Sequence, residues 1–237
     1  MENKNILNGS IILGISFIIG LIIVSCSLIQ IKSLDNVLVV TGSAKQSVTS
    51  DIVKWNASFS RTVYDYELNN GYSQMKNDEN IIRSFLLENG INEDEITISS
   101  VSMDKIYNYE KTGVSDQYNL NQSVTIESKD INKITELSKN IQPIIEDGVI
   151  LSARSPQYYY SGLSDARIDL LPNAMDDAEK RAEKMSGKKV GSLKSVSMGV
   201  VQVLQPNSVD VSDYGMYDTS TVEKEIMITV KATFTLK

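Results

Sequence analysis

The sequence predicts an α+β fold: an N-terminal transmembrane helix, then antiparallel or mixed sheet with helices packed on one face. Three observations support this prediction. Residues 11–31 form a 21-residue run that is almost entirely apolar and carries no charge. Residues 53–63 and 226–236 alternate strictly between apolar and polar side chains, which is typical of half-buried strands. Amphipathic segments with apolar side chains at helical spacing lie between those strands.

The apolar run from Ile11 to Ile31 predicts a membrane anchor, because about 20 helical residues cross the hydrocarbon core. Residues 1–34 would then be the anchor or signal segment, and residues 35–237 an extracytoplasmic domain. Residues 23–26, Ile-Val-Ser-Cys, resemble a bacterial lipobox, so a lipoprotein carrying lipid on Cys26 is the alternative. A cleaved signal peptide is a third possibility. We favour an uncleaved single-pass anchor because apolar residues continue beyond Cys26 and the segment before the run is poor in positive charge.

Composition excludes several classes of function. The chain has 23 basic and 30 acidic side chains, and this acidic balance argues against a nucleic-acid partner. It has no histidine, which excludes Ser-His-Asp and Cys-His catalysis and histidine metal ligands. The single cysteine excludes an intramolecular disulfide and a thiolate zinc cluster. We therefore assign no catalytic, cofactor-binding or metal-binding residue, and we do not expect an enzyme.

The first elements of the domain read strand, strand and helix. Residues 37–40 predict a short strand ending in a turn at Thr41 and Gly42. Residues 53–63 predict the long alternating strand. The apolar residues from Leu68 to Leu86 predict an amphipathic helix, which the Asn-Gly pair at residues 89–90 ends.

Two further strands should follow this helix. The apolar face of residues 96–103 changes parity near Ser99 and Ser100, as a β-bulge or a strand end would cause. Residues 107–117 read as a polar turn. Residues 120–126 predict a returning strand, which completes a β-α-β-β unit over residues 47–129.

The second half begins with a helix that Asp130 is placed to cap, carrying apolar residues as far as Ile141. Residues 149–160 read as extended, and residues 165–188 predict a helix in which Pro172 marks a kink or the start of the regular part. Residues 190–204 and 222–236 predict strands joined by the polar loop 206–221. These elements suggest a second β-α-β-β unit over residues 149–237.

Short motifs in this order resemble the SIMPL-domain family of bacterial cell-envelope proteins. The matching residues occur at the first strand, at the first helix-to-strand junction, and along an alanine-rich helix with its exit. They are Val39 to Ala44, Val48, Asp51 and Trp55; Leu86, Gly90, Ile91 and Ile96; and Ala174, Asp177, Ala178, Arg181, Ala182, Glu183, Met185, Gly187 and Gly191.

The resemblance implies an extracytoplasmic α+β domain, often tethered by an N-terminal signal or anchor. One member of the family is a periplasmic immunogenic protein that forms a ring, and another is linked to oxidative-stress defence. The family has no agreed catalytic residues, so the resemblance transfers none to this chain.

Four groups of acidic or aromatic residues are candidate sites. The acidic cluster Glu93, Asp94 and Glu95 could hold a cation, although a solvated turn explains it better. Asp210, Asp213 and Asp218 lack calcium-loop spacing, so we interpret their loop as an exposed binding or assembly loop. Asp176 and Asp177 should point to different faces of one helix. The run Tyr158, Tyr159 and Tyr160 beside Arg154 could be a ligand platform or an interface strand.

Three other residues have simple structural interpretations. Trp55 is expected to be a core anchor. Asn56 and Asn121 match the glycosylation pattern but fall in predicted strands.

The sequence therefore predicts a membrane-tethered extracytoplasmic structural or assembly module that self-associates as a homo-oligomer. The alternative is an envelope domain that binds a solute or a wall polymer of unknown identity, and a carboxylate-based enzyme ranks last. A deep polar pocket would favour binding, a convergent Asp/Glu pair in that pocket would favour an enzyme, and a flat or apolar shared surface would favour assembly.

Overall fold

The structure is a computed structural model, which describes residues 2–33, 36–107, 115–210 and 212–236. The chain divides into two compact units, which are described separately. Unit 1 comprises residues 1–44, 169–200 and 228–237, and unit 2 comprises residues 45–168 and 201–227. The expected division into residues 1–34 and 35–237 stays a prediction.

The described residues form an α+β fold whose strands make one five-stranded and one six-stranded sheet. The helices are α1 (Glu2–Ser33), α2 (Leu68–Glu88), α3 (Ile131–Lys139), α4 (Gln142–Glu146), α5 (Leu163–Asp169) and α6 (Leu171–Ser186). The strands are β1 (Val37–Thr49), β2 (Ile52–Tyr64), β3 (Ile96–Ile98), β4 (Ser102–Ile106), β5 (Gln117–Ser128), β6 (Leu151–Ala153), β7 (Gln157–Tyr159), β8 (Val190–Met198), β9 (Gln202–Leu204), β10 (Met216–Tyr217) and β11 (Glu223–Leu236).

Helix α1 contains the apolar run identified in the sequence. Its side chains are described for residues 13–29, and all of them are exposed. In the described part of the chain, no helix is long and apolar enough to cross a membrane.

Unit 1 is built on a close approach between β1 and the alanine-rich helix α6. Ala174, Ala178 and Ala182 are completely buried. A Cβ atom added to Gly42 would lie 2.3 Å from the backbone oxygen of Ala174 and 2.4 Å from the backbone nitrogen of Ala178. Only the absence of side-chain atoms at residue 42 lets the helix backbone come so near the strand.

Unit 2 has β2 at the centre of the six-stranded sheet. Strand β2 pairs antiparallel with β5 on one side and with β6 and β7 on the other. Helix α2 packs against this sheet, and the core between them includes Trp55, Phe59, Met75, Ile82 and Leu120. Trp55 and Phe59 come from the predicted alternating strand, Met75 and Ile82 from the predicted amphipathic helix, and Leu120 from the predicted returning strand, so these three predictions are confirmed.

Several other local predictions are also confirmed. Helix α2 ends before Gly90, which has a φ of +75°, in the left-handed region that favours glycine. The parity change near Ser99 separates β3 from β4. The side chain of Asp130 caps α3 by accepting a hydrogen bond from the backbone nitrogen of Lys133 at 3.0 Å. The five-stranded sheet is mixed, since β10 pairs parallel to β9, whereas the described strand pairs of the six-stranded sheet are antiparallel. Within the predicted turn 107–117, residues 108–114 lie outside the described residues.

The turn predicted at Thr41 and Gly42 is wrong. Strand β1 runs unbroken from Val37 to Thr49. Glycine at residue 42 serves the close approach to α6, and a turn signal cannot be distinguished from that role by sequence alone.

Three predicted element boundaries in the second half also need correction. The helix expected over residues 165–188 is two helices, α5 and α6, and Pro172 lies in the first turn of α6, where its missing N–H costs no helical hydrogen bond. The strand expected over residues 190–204 ends at Met198, and β9 starts at Gln202. Ile141 lies beyond the end of α3.

The second β-α-β-β unit does not form a separate sheet. Its first strands, β6 and β7, pair with β2 of the first unit. Several predicted elements are split in two, and β10 lies within the loop predicted over residues 206–221. Pairing between distant strands cannot be derived from element order.

Candidate ligand-binding cleft

Three clefts in the described part of unit 2 have volumes suited to small ligands. The first, of about 590 Å³, lies beside the acidic cluster of residues 93–95. The second, of about 540 Å³, lies against the loop 206–221. The third, of about 370 Å³, lies between α3 and the turn that joins β6 to β7.

The acidic cleft brings two of the three predicted residues together. Asp94 and Glu95 line it, with Glu127 and Asp130 from other elements. Glu93 instead forms an ion pair with Arg83.

Most of the carboxylates in this cleft have protein partners. Glu95 accepts hydrogen bonds from the backbone and side-chain nitrogens of Asn92, each at 2.9 Å. A hydrogen bond from Ser128 outweighs the effect of burial and lowers the pKa of Glu95. Glu127 pairs with Lys54 at 2.9 Å. Among the described residues, no cluster of three or more possible metal ligands is present.

In the loop cleft, Asp218 organises the protein itself. Its carboxylate accepts hydrogen bonds from the backbone nitrogens of Ser220 at 3.2 Å and Thr221 at 3.1 Å. Lys224 is completely buried, and its ammonium donates to the backbone oxygens of Asp218 at 2.6 Å and Thr221 at 2.7 Å. Asp210 lines the same cleft, whereas Asp213 is exposed outside its lining.

The charges of Asp218 and Lys224 respond to burial in different ways. Burial alone would raise the pKa of Asp218, but the hydrogen bonds from Ser220 and Thr221 outweigh it and hold the pKa well below its ordinary value. Burial lowers the pKa of Lys224, and the nearby Asp218 carboxylate opposes that shift. The pair orders the base of the loop, so Asp218 is engaged in internal contacts.

The two adjacent aspartates of α6 have separate partners, as expected for residues on different faces. Asp176 pairs with Lys180 at 2.5 Å. Asp177 accepts a hydrogen bond from the backbone nitrogen of Ser43 at 2.7 Å and pairs with Arg181 at 2.8 Å. Burial opposes the shift, but the hydrogen bonds from Arg181 and Ser43 leave the pKa of Asp177 below its ordinary value.

The three tyrosines do not form one platform. Tyr158 is buried, and its hydroxyl lies 3.0 Å from the hydroxyl of Thr135. The ring of Tyr159 lies 5.8 Å from that of Tyr217, between centroids. The backbone nitrogen of Tyr160 donates to the hydroxyl of Tyr217 at 2.9 Å. Only Tyr158 belongs to the same cleft as Arg154.

In the third cleft, two hydrogen bonds fix the backbone of Arg154, which the sequence analysis had singled out. The buried indole of Trp55 donates from Nε1 to the backbone oxygen of Arg154 at 2.8 Å. The backbone nitrogen of Arg154 donates to the backbone oxygen of Asn56 at 3.0 Å. Trp55 is therefore a core residue, as predicted, and it also positions the base of Arg154.

Sequence reasoning missed most of the lining of this cleft. The lining residues come from α3, from the segment after it, and from the β6–β7 turn. They are Thr135, Ser138, Lys139, Ile141, Ala153, Arg154, Ser155, Pro156 and Tyr158. Isolated hydroxyl and basic residues on an amphipathic helix carry no signal of a shared cleft, because only the sheet pairing brings them near Arg154.

The two glycosylation-pattern residues lie within paired strands, as predicted. The side-chain oxygen of Asn56 accepts a hydrogen bond from Thr125 at 2.7 Å across the β2–β5 pair. Asn121 lies in β5 opposite Ser60 and Ser102.

Comparison with known families gives one result. Residues 38–236 match the model of the SIMPL family, which is described as a protein of unknown function. No curated protein gives a significant match.

Proposed function

Because the chain belongs to the SIMPL family, whose function is unknown, we propose a role from its own surfaces: a membrane-tethered extracytoplasmic module that assembles with copies of itself. The observation that carries the assembly part is an apolar stripe along the edge strand β8 and just past its end, defined here as Leu193, Val196 and Met198 of β8 with Val200 after it. The proposal has two separable parts, the tether and the assembly.

The tether rests on the apolar run from Ile11 to Ile31. This run lies within the continuous helix α1, and 21 helical residues match the thickness of a hydrocarbon core. Large apolar side chains such as Leu13 and Phe17 are 73% and 69% exposed, which would be costly in water. A lipid environment would cover them. On this proposal the large domain lies outside the bacterial cell membrane, with a lipid on Cys26 as the alternative attachment.

The assembly rests on the position of the apolar stripe. In the described residues, β8 pairs with β11 along one edge and with no strand along the other. Leu193, Val196 and Met198 are 45%, 52% and 54% exposed.

These exposed residues lie on the apolar face of the sheet. Their direct partners on β11 are Phe234, Ala232 and Val230, and all three partners are buried. Directly opposite residues of paired strands lie on the same face. The stripe therefore extends the apolar face of the sheet from the buried part at β11 to an exposed part at β8. An exposed apolar surface of this kind is typical of a site that another chain covers.

A second copy of this chain fits the stripe better than an unrelated strand. An edge strand that pairs antiparallel with its own copy offers the same stripe and the same free backbone groups from both sides, as a two-fold interface requires. Pairing centred at Ser197 would place Val196 of one copy opposite Met198 of the other, so the two apolar stripes would meet. It would also keep the two Lys194 side chains from lying opposite each other, an arrangement that would be repulsive.

Cysteine cross-linking of the full chain in its membrane tests this interface. We start from a Cys26→Ser background and add Ser197→Cys on β8, with Glu179→Cys on α6 as an exposed control in the same unit. Disulfide formation needs Cα atoms within about 7 Å, so only a β8–β8 pair should give a cross-linked dimer. Cross-linking at Glu179→Cys that equals that at Ser197→Cys would contradict the proposed interface.

A matched pair of charge substitutions separates the interface from general destabilisation. Met198→Lys should abolish the Ser197→Cys cross-link because it places a charge in the apolar contact. Met185→Lys changes an exposed methionine of the same unit outside the stripe and should leave the cross-link intact. Equal effects of the two substitutions would refute the assignment to β8.

The second candidate function is binding of a solute or a wall polymer, and the cleft at Arg154 favours it. An enzymatic role is not proposed, because Glu95, Glu127 and Asp218 are engaged by protein groups in the described residues.

A further inference from the structure

We propose that the 370 Å³ cleft between α3 and the β6–β7 turn binds an anionic ligand that carries hydroxyl groups, of the class of sugar phosphates and polyol phosphates. This inference does not depend on the tether or on self-association, because all of the lining residues belong to unit 2 of a single chain.

The cationic side of the cleft provides the anion specificity. Arg154 is exposed, and in the described residues its guanidinium makes no hydrogen bond or ion pair. Lys139 lines the same cleft, with its charge partly neutralised by Glu136 at 2.7 Å. Residues 35–237 hold 21 basic and 29 acidic side chains, so a guanidinium beside a lysine makes this cleft locally cationic on an acidic domain. A guanidinium binds phosphate or carboxylate oxygens through two parallel hydrogen bonds.

The backbone beneath Arg154 is already fixed for this task. Hydrogen bonds from Trp55 at 2.8 Å and to Asn56 at 3.0 Å hold both sides of the Arg154 peptide on the central strand β2. Trp55 is 1% exposed, so its contribution is rigid. The entropic cost of binding is then the ordering of the Arg154 side chain alone, because the β6–β7 turn does not have to change its conformation.

Helix α3 also offers hydrogen-bond acceptors to the cleft. The hydroxyl of Thr135 donates to the backbone oxygen of Ile131 at 2.7 Å, and that of Ser138 donates to the backbone oxygen of Thr135 at 2.8 Å. Each hydroxyl has one proton, so the oxygens of Thr135 and Ser138 present lone pairs. The hydroxyl of Tyr158 lies 3.0 Å from that of Thr135, and either hydroxyl can be the donor of the hydrogen bond between them. A ligand hydroxyl can donate a hydrogen bond to the Ser138 oxygen, whereas an anion without hydroxyl groups has no proton to donate.

The remaining lining is apolar and suits the carbon skeleton of a sugar or polyol. Ile141, Ala153 and Pro156 surround the polar groups. A cleft lined by cationic groups, hydroxyl acceptors and apolar side chains therefore matches a ligand with an anionic end and a hydroxylated carbon chain.

The single tryptophan of the chain reports on this site directly. Trp55 bonds to the backbone oxygen of Arg154, so its fluorescence should change when the cleft fills. We propose titrating the full chain in detergent micelles with glucose 6-phosphate, inorganic phosphate and glucose, with calorimetry to confirm the affinities. Glucose 6-phosphate should bind more tightly than inorganic phosphate, and glucose should not bind. Glucose binding as tightly as glucose 6-phosphate, or no binding of glucose 6-phosphate at about 10 mM, would overturn the proposal.

Paired variants assign the binding to the cleft. Arg154→Gln should weaken glucose 6-phosphate binding by about 10-fold or more, because it removes charge-assisted hydrogen bonds. Arg167→Gln, an equivalent change at an exposed residue outside the cleft, should have no effect. Equal affinities for the two variants, at equal melting temperatures, would refute the assignment.

Ser138→Ala tests whether the Ser138 hydroxyl accepts a hydrogen bond from the ligand. It should weaken glucose 6-phosphate binding and leave the weaker binding of inorganic phosphate unchanged. Equal losses for both ligands would contradict the role of the hydroxyl groups.

A last titration distinguishes the source of the ligand. Free sugar phosphate and a phosphate-containing polymer share this chemistry, and poly(glycerol phosphate) fragments present several copies of it. The ligand is a polymer if the fragments bind with a higher affinity per phosphate group than glucose 6-phosphate does and if Arg154→Gln abolishes this binding. Equal or weaker binding per phosphate identifies the small molecule.

Discussion

Substitution of Gly42 by alanine tests the central contact of unit 1. In the structure the added Cβ would lie 2.3 Å from the Ala174 backbone oxygen, 2.4 Å from the Ala178 backbone nitrogen and 2.7 Å from the Ala178 Cα atom. Ordinary contacts at a Cβ atom begin at 3.4 Å. All three neighbours are helix backbone, which cannot rotate away, so β1 and α6 must separate by about 1 Å.

Two effects of opposite sign decide the magnitude. Gly42 has no positive φ, so alanine is conformationally allowed and should gain about 0.5–1 kcal/mol by restricting the unfolded chain. Overpacking against fixed backbone costs about 3 kcal/mol. Separation of the elements also weakens the 2.7 Å hydrogen bond from the Ser43 nitrogen to Asp177, which is worth about 1.5 kcal/mol because the acceptor is charged. The net expectation is a loss of about 3 kcal/mol in the free energy of unfolding.

Thermal unfolding followed by circular dichroism measures this loss. For a domain of this size we expect the melting temperature to fall by about 10 °C. Ser43→Ala is the control, because it keeps the backbone donor and removes only the 3.4 Å contact with Arg181.

The double variant Gly42→Ala with Ala178→Gly tests the origin of the loss. Removing the Ala178 side chain leaves all three clashing atoms in place, so it should not restore stability. An unchanged or raised melting temperature for Gly42→Ala, or full rescue by the double variant, would refute the reasoning.

Three further predictions concern other parts of the chain. Asp218→Asn should lower the free energy of unfolding by about 3 kcal/mol at pH 7, since it leaves the Lys224 charge buried, whereas Asp213→Asn in the same loop should have little effect. The pKa of Asp218 is lower in the folded state than in the unfolded state. Its carboxylate therefore stabilises the folded protein above the unfolded pKa of about 3.9, and this stabilisation is lost as the pH falls towards the folded pKa. In chemical denaturation, the free energy of unfolding of Asp218→Asn should fall less steeply in acid than that of the unsubstituted protein. Residues 35–237 alone should stay in the supernatant after membrane sedimentation and show a cooperative thermal transition, whereas the full chain and its Cys26→Ser variant should sediment with membranes. If residues 35–237 self-associate, sedimentation at micromolar protein should show more assembly at moderate salt than at low salt because the acidic copies repel each other, and monomer alone in both would contradict assembly.

Local sequence patterns correctly predicted those strands and helices whose apolar residues follow a single regular spacing. The alternation in β2, the helical spacing in α2 and the cap at Asp130 each depend on neighbours within a few residues, so the sequence carries the full signal. The spacing of Leu171, Ala174, Ala178, Ala182 and Met185 by three or four residues predicts one buried stripe of a helix, and the three alanines are indeed buried. Met185 is 67% exposed, because the close contact ends before the last turn of the helix.

The cleft at Arg154 was predictable only in part. Arg154 and Tyr158 attract notice because they lie close together in the sequence. Ser138 and Lys139 join them through the pairing of β2 with β6 and β7, which depends on long-range packing. The same limitation explains Gly42, whose partner on α6 is more than 130 residues away in the sequence.

The composition of unit 1 has a consequence for how the protein is made. Its strands come from both ends of the described chain, and the side chain of Asn36 donates to the backbone oxygen of Leu236, 200 residues later. The β2–β5 pair of unit 2 is complete once residue 128 has been synthesised. Unit 1 must wait for β11, so during translation the alanine-rich face of α6 stays without its full set of strands. A ribosome that stalls before residue 228 would therefore release a chain with one folded unit and an exposed, protease-sensitive remainder.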